Sequence, residues 1–180
     1  METSLNGWPA IKNANDPNLV NIKIPGTNHT IRAAKGPHVV FAAYLADWNR
    51  LMPARLKLTD KQMVACWNYR QARSGAGLSN HSSATAVDVC WNTVLKADNQ
   101  KHMTAEENTI LKQILGWYVT ADGHHIIANG EHWGRADGMH NELSQKWDKE
   151  AGAKRNTTQK DVLEVINRLK IDSNGNRPIG

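Results

Sequence analysis

Two imidazoles and two carboxylates in this chain have the types and spacing to form one hydrolytic site. His81 and Asp88 sit in the run Ser79-Asn80-His81-Ser82-Ser83-Ala84-Thr85-Ala86-Val87-Asp88, and Asp137-Gly138-Met139-His140 follows further on. A catalytic zinc takes three protein ligands, usually nitrogen or oxygen donors. Its fourth position is left for water, and a separate carboxylate carries protons. His81, Asp88 and His140 match the first role and Asp137 the second. Ala84 and Ala86 are small enough to leave room for an ion beside the backbone. A histidine without such company is more often a surface or satisfied core group, which is the reading for His29, His38, His102 and His124.

The elements that must position these residues follow from periodicity. Thr85 to Trp91 reads as a strand, with Ala84, Ala86 and Asp88 on one face and Thr85, Val87, Val89 and Trp91 on the other. Met139 to Leu143 reads as a second short strand, placing His140 and Glu142 on one face. Met63 to Arg70 is a third, and Gly123 to Gly134 strand and turn material. Pro37 opens a helix whose stripe is Val40, Phe41, Tyr44, Leu45 and Trp48, ending before Pro53. Thr104-Ala105-Glu106-Glu107 matches a capping box ahead of Ile110, Leu111, Ile114, Leu115 and Tyr118. Val162, Leu163, Ile166 and Leu169 suggest a last amphipathic helix before a polar, linker-like end. Residues 1 to 35 read as an irregular lead-in with at most short strands around Val20 to Ile24. The expected class is α+β, a small antiparallel sheet flanked by helices, with residues 1-150 as the catalytic domain and 151-180 as a C-terminal helix and tail.

Bulk properties narrow the function classes. A length of 180 residues suits one domain with a real core. Mean hydropathy of -0.58 and the absence of a long apolar run exclude a membrane-spanning helix. The first residues lack the basic and apolar regions of a secretory signal, so synthesis in the cytosol is expected. Cys66 and Cys90 are too few for a disulfide framework and read as buried thiols, with a single bridge left open. The net charge of +5 favours an anionic partner, but the basic residues are scattered, which argues against a nucleic-acid face. Trp48, Trp67, Trp91 and Trp117 fall in periodic segments and read as core, whereas Trp133 reads equally as core or as the lining of a groove.

Ser79-x-His81-x6-Asp88 followed by Asp137-x-x-His140 resembles the signature of the zinc D,D-carboxypeptidases and L-alanyl-D-glutamate peptidases, the VanX- and VanY-type enzymes and many phage endolysins. Trp67-Asn68-Tyr69-Arg70 is similar to the aromatic-Arg strand that precedes the first histidine in that family, so the likeness covers roughly residues 60 to 145. The resemblance implies a hedgehog/D,D-peptidase-like fold, Zn2+ held by His81, Asp88 and His140, Asp137 as general acid/base, and Arg70 steadying the carbonyl oxygen. Arg73 is the substitute for Arg70. Ser79 would orient substrate or ligand, Trp133 would line the groove, and Glu142 would hold the free imidazole nitrogen of His140. Glu131 as proton carrier, and His125 and His132 as ligands, are alternatives that the family pattern disfavours.

The chain departs from that pattern at three positions. Ala84 stands where Gly is usual, demanding backbone angles that an L-residue tolerates; Asn141 stands where an aromatic is frequent; and Asp137 replaces the Glu of several relatives. The implied activity is hydrolysis of bacterial peptidoglycan stem peptides, first at L-Ala-D-Glu and alternatively at D-Ala bonds, by a monomer that binds neither nucleic acid nor membrane. It would be held in the host cytoplasm and reach the wall after release. Two other classes compete: a metal-dependent nuclease, which would favour a hard ion and oxygen ligands, and a noncatalytic wall-binding module on the same fold.

Overall fold

A four-stranded antiparallel sheet carries the residues singled out by spacing. The computed structural model describes residues 1-178, and the chain is mixed α+β, with two small antiparallel sheets and three α-helices among the described residues. A hairpin of β1 (Leu19–Lys23) and β2 (Thr30–Ala34) leads into α1 (Pro37–Leu51). Then come β3 (Val64–Ala65), β4 (Ala86–Val89), α2 (Ala105–Trp117), β5 (Ile127–Gly130), β6 (Asp137–Leu143) and α3 (Gln159–Leu169). The larger sheet has the order β3-β4-β6-β5.

The helices form where the apolar stripes place them. In α1, Pro37 takes a first-turn position that needs no N-H donor, and Val40, Phe41, Tyr44, Leu45 and Trp48 are wholly buried. The capping box ahead of α2 is present: the Thr104 hydroxyl accepts from the Glu107 N-H, and the Glu107 carboxylate accepts from the Thr104 N-H. A second capping box, Thr158 with Asp161, starts α3. There the buried apolar residues are Val162 and Val165, while Leu163, expected in the stripe, is 49% exposed.

Tertiary packing changes several other expectations. The short strands expected in the lead-in are a paired hairpin that reaches Ala34, because Ile31 and Ala33 bury one side of β2 despite weak alternation. Of the stretch 63-70, only Val64 and Ala65 pair with β4. From Cys66 onward the chain turns aside to run beside residues 79-82, where the Asn68 N-H donates to the His81 carbonyl and the Ser79 N-H to the Arg70 carbonyl. β4 stops at Val89 because Cys90 adopts φ 54°, and Trp91 is 41% exposed instead of core. Cys66 and Cys90 are both free and buried.

The polar segment after α3 lies back on α1. Ile171 is buried, and the Arg177 guanidinium binds both oxygens of buried Asp47 at 2.8 and 3.0 Å. Gly175 (φ +83°) sits so close that a Cβ would come within 2.3 Å of the Ala42 side chain. Among the described residues no helix is long and apolar enough to cross a membrane.

Candidate metal centre

Antiparallel pairing of β4 with β6 sets Asp88 directly opposite His140, so both side chains leave the same face of the sheet. Asp88 Oδ1 lies 3.0 Å from His140 Nδ1. His81 arrives from a different element, a 3-10 turn at 80-83 capped by the Ser79 hydroxyl, which accepts the His81 N-H. Ala84 then reverses the chain into β4. Seven residues separate His81 from Asp88, enough for roughly 23 Å if extended, yet the turn brings His81 Nε2 within 3.2 Å of both Asp88 Oδ1 and His140 Nδ1.

Ala84 corrects the expectation of ordinary backbone angles. It adopts φ 55°, ψ 33°, the left-handed region in which an L-residue costs about 1-2 kcal/mol. Hydrogen bonds hold it there: its N-H donates to the His81 carbonyl, and its own carbonyl accepts from the Ala34 N-H at 3.0 Å. A glycine would suit the conformation without that cost.

The three donor atoms form a triangle that could hold a metal ion. Ligands about 2.05 Å from a tetrahedral zinc stand about 3.3 Å apart, close to the 3.0-3.2 Å edges seen here. The remaining imidazole nitrogens are committed elsewhere. His81 Nδ1 is 2.6 Å from the Cys66 carbonyl, and His140 Nε2 is 2.8 Å from Glu142 Oε2. Each of those acceptors takes an N-H, which turns the lone pair of the other nitrogen toward the triangle. Glu142 is fixed in turn by the side-chain amides of Asn80 at 2.6 Å and Gln145 at 2.7 Å. The Asn80 carbonyl oxygen accepts the Asn6 backbone N-H, so the N-terminal segment braces the same network.

The electrostatics of this cluster favour a cation. Burial opposes ionisation of Asp88, but hydrogen bonds from His140 and His81 outweigh it and hold the carboxyl well below its usual range. Burial likewise opposes charge on His140, yet the hydrogen bonds and negative charge of Asp88 and Glu142 push its pKa up to about 10. An arriving metal ion therefore competes with a proton on His140.

Asp137, at the start of β6, lines the same pocket of about 190 Å³ as Asp88 and His140. Its pKa is raised, first by burial and then by the Asp88 charge, against the pull of His140 and Arg73. Its Oδ1 is shut off from solvent and has no hydrogen-bond partner among the described residues. A carboxylate with a raised pKa is suited to accept and return a proton.

Arg70 and Arg73 both line the pocket, as does Ser79. Arg70 Nη1 donates to the Gln71 carbonyl, while the charge of Arg73 is the one that reaches Asp137. The Trp133 ring lies 5.5 Å from that of His140, centroid to centroid, and forms part of the wall. Its indole N-H, near the Asp148 carboxylate but not aligned on it, has no hydrogen-bond partner.

Comparison with protein-family models, with curated proteins and with solved structures finds no match to this chain. The site therefore stands on its own geometry.

Some candidates are not brought together. Glu131 is buried, with its carboxylate accepting the backbone N-H groups of His102 and Met103, away from Asp137's pocket. His125 and His132 line a separate hollow. Asn141 points to the opposite side of the sheet, where its side-chain oxygen accepts from the Tyr44 hydroxyl at 2.6 Å and from Asn129 at 2.7 Å. Asn141 thus takes no part in the pocket wall. Sequence reasoning missed Asn80, Gln145 and the Cys66 carbonyl. An amide or a main-chain oxygen has no characteristic spacing, and only adjacency to His81 singled out Asn80 at all.

Proposed function

We propose that this chain is a zinc-dependent peptidase of hedgehog/D,D-peptidase-like fold that cleaves stem peptides of bacterial peptidoglycan, first at the L-Ala-D-Glu bond. The observation that carries the reading is the convergence of His81 Nε2, Asp88 Oδ1 and His140 Nδ1 beside a separate carboxylate, Asp137, which lines the same pocket and has a raised pKa. Two imidazoles and one carboxylate suit zinc better than magnesium, which prefers oxygen ligands and keeps its waters.

Zinc bound there supplies a water of lowered pKa and an electrophile for the peptide carbonyl. Asp137 takes a proton from the attacking water and returns it to the leaving amine. Arg70 and Arg73 offer positive charge to the oxyanion that develops on the carbonyl oxygen. Ser79 and Trp133 orient the peptide, and the Cys66 carbonyl and Glu142 fix the two imidazoles. A net charge of +5 supports attraction to an anionic wall, as for an endolysin acting as a monomer once released from the host cytoplasm.

Purified peptidoglycan digested with the zinc-loaded protein, with and without chelator, tests this when new termini are identified by mass spectrometry. A new amino terminus on D-Glu is expected. Released D-Ala would move the reaction to the D,D bond, cleavage that ignores chelator would remove the metal mechanism, and intact peptidoglycan would overturn the peptidase reading.

A further inference from the structure

Trp133 and Gln145 line the metal pocket on one side and, on the other, a second hollow of about 470 Å³ walled by Trp147, Asp148 and Glu150. Trp147 is 73% exposed, the most exposed aromatic side chain among the described residues. A tryptophan left in water forfeits a large burial gain, so its position at the mouth of a concave site calls for a ligand. The Lys146 ammonium lies 4.6 Å from the Trp147 ring centroid, where it steadies the indole.

The chemistry of the walls selects one class of ligand. A pyranose ring has apolar C-H faces and a rim of hydroxyl and acetamido groups. Its weakly positive C-H groups pack on the negative face of an indole. The Glu150 carboxylate and the Gln145 side-chain oxygen can accept hydrogen bonds at its rim, and the Lys149 ammonium can donate them. An acyl chain would leave those charged groups desolvated and unpaired.

We propose that this hollow is a glycan subsite, which takes the amino sugar that carries the stem peptide. The proposal rests on the peptidase reading and sharpens it. Because the two pockets share a wall, a sugar seated in one lies within reach of the other through a very short linker, at roughly 3.5 Å per residue. That matches the L-Ala-D-Glu bond, one residue from the sugar-linked end, and disfavours the D-Ala bonds at the far end of the stem.

The test compares kcat/KM on a disaccharide-bearing stem peptide and on the same peptide without sugar, for the wild type and for Trp147→Ala. The wild type should prefer the sugar-bearing substrate by about tenfold, and the variant's preference should collapse to within about twofold. Equal wild-type rates, or a preference that survives in Trp147→Ala, would overturn the subsite. A parallel titration with an N-acetylglucosamine trimer, followed by tryptophan fluorescence, requires no turnover. Saturable binding lost in Trp147→Ala supports the subsite, and no binding to the wild type refutes it. If neither peptide is cleaved, the peptidase reading has failed and the sugar titration alone judges the subsite.

Discussion

Two pairs of histidines lie at two pockets of this protein, and their surroundings give them opposite characters. His140 lines one pocket with Asp88, Glu142 and Asp137, His81 stands buried behind it with Nε2 3.2 Å from His140 Nδ1, and His140 is held in its charged form. His125 and His132 line a hollow with Lys112 and Glu150. Burial lowers the pKa of both, and the positive charges of Lys112 and Lys101 lower that of His132 further. One ring nitrogen of each is buried without a partner, and among the described residues no third ligand joins them. Two imidazoles without a carboxylate therefore do not form a metal-ligand group here. With a buried carboxylate aimed at the same point they form one that could hold a metal ion, because it compensates the charge that the low-dielectric interior would otherwise reject.

The largest expected effect is on metal content. Asp88→Asn should reduce bound zinc from one per chain to nearly none after gel filtration, while His132→Ala should keep it, as read by elemental analysis. Stoichiometric zinc in the first variant, or its loss in the second, would break the contrast between the pockets. Next comes Asp137→Ala, which should retain zinc and lower turnover of peptidoglycan fragments by about 10²-10⁴-fold. Unchanged turnover would remove Asp137 from the chemistry. Glu142→Gln weakens the acceptor behind His140 and should lower zinc affinity by about 10-100-fold in a chelator competition, whereas the same competition with His125→Gln should give the wild-type value.

The smallest effects are on the pH dependence of stability in the chelator-treated protein. His140 has its folded pKa raised from 6.5 to about 10, so its contribution is complete below pH 6.5 and is lost as the pH rises to about 10. His132 has its folded pKa lowered, so its contribution is present above 6.5 and is lost as the pH falls through the lowered value. Urea midpoints measured across this range should therefore show the alkaline limb flattened by His140→Asn and the acidic limb, more weakly, by His132→Asn. The opposite assignment would invert the comparison.

Much of the scaffold was legible along the chain. The stripe from Val40 to Trp48, the Thr104-Glu107 capping box and the alternation around Asp88 and His140 are local patterns. Each is imposed by the period of a helix or strand and the need to satisfy free N-H groups. Breaks in the elements were less visible. Nothing in the stretch 63-70 announces that pairing ends at Ala65, because the chain leaves the sheet to hydrogen-bond with a turn formed later in the sequence. The tail at 171-177 reads as a linker because Arg177 finds its partner, Asp47, only through the packing of α3 on α1.

The sequence by itself determined which side chains could bind a metal and that Asp88 shares a strand face with Ala86 and His140 one with Glu142, since both follow from residue chemistry and a period of two; the pairing of β4 with β6 then put Asp88 opposite His140. Only the tertiary structure decided that His81 joins them, because that depends on a left-handed turn at Ala84. It also decided that Asn141 faces Tyr44 rather than the pocket, that Glu131 is spent on backbone N-H groups, and that Trp133 joins two pockets. These are contacts between distant segments, fixed by the way the layers pack and by the requirement that buried polar groups find partners.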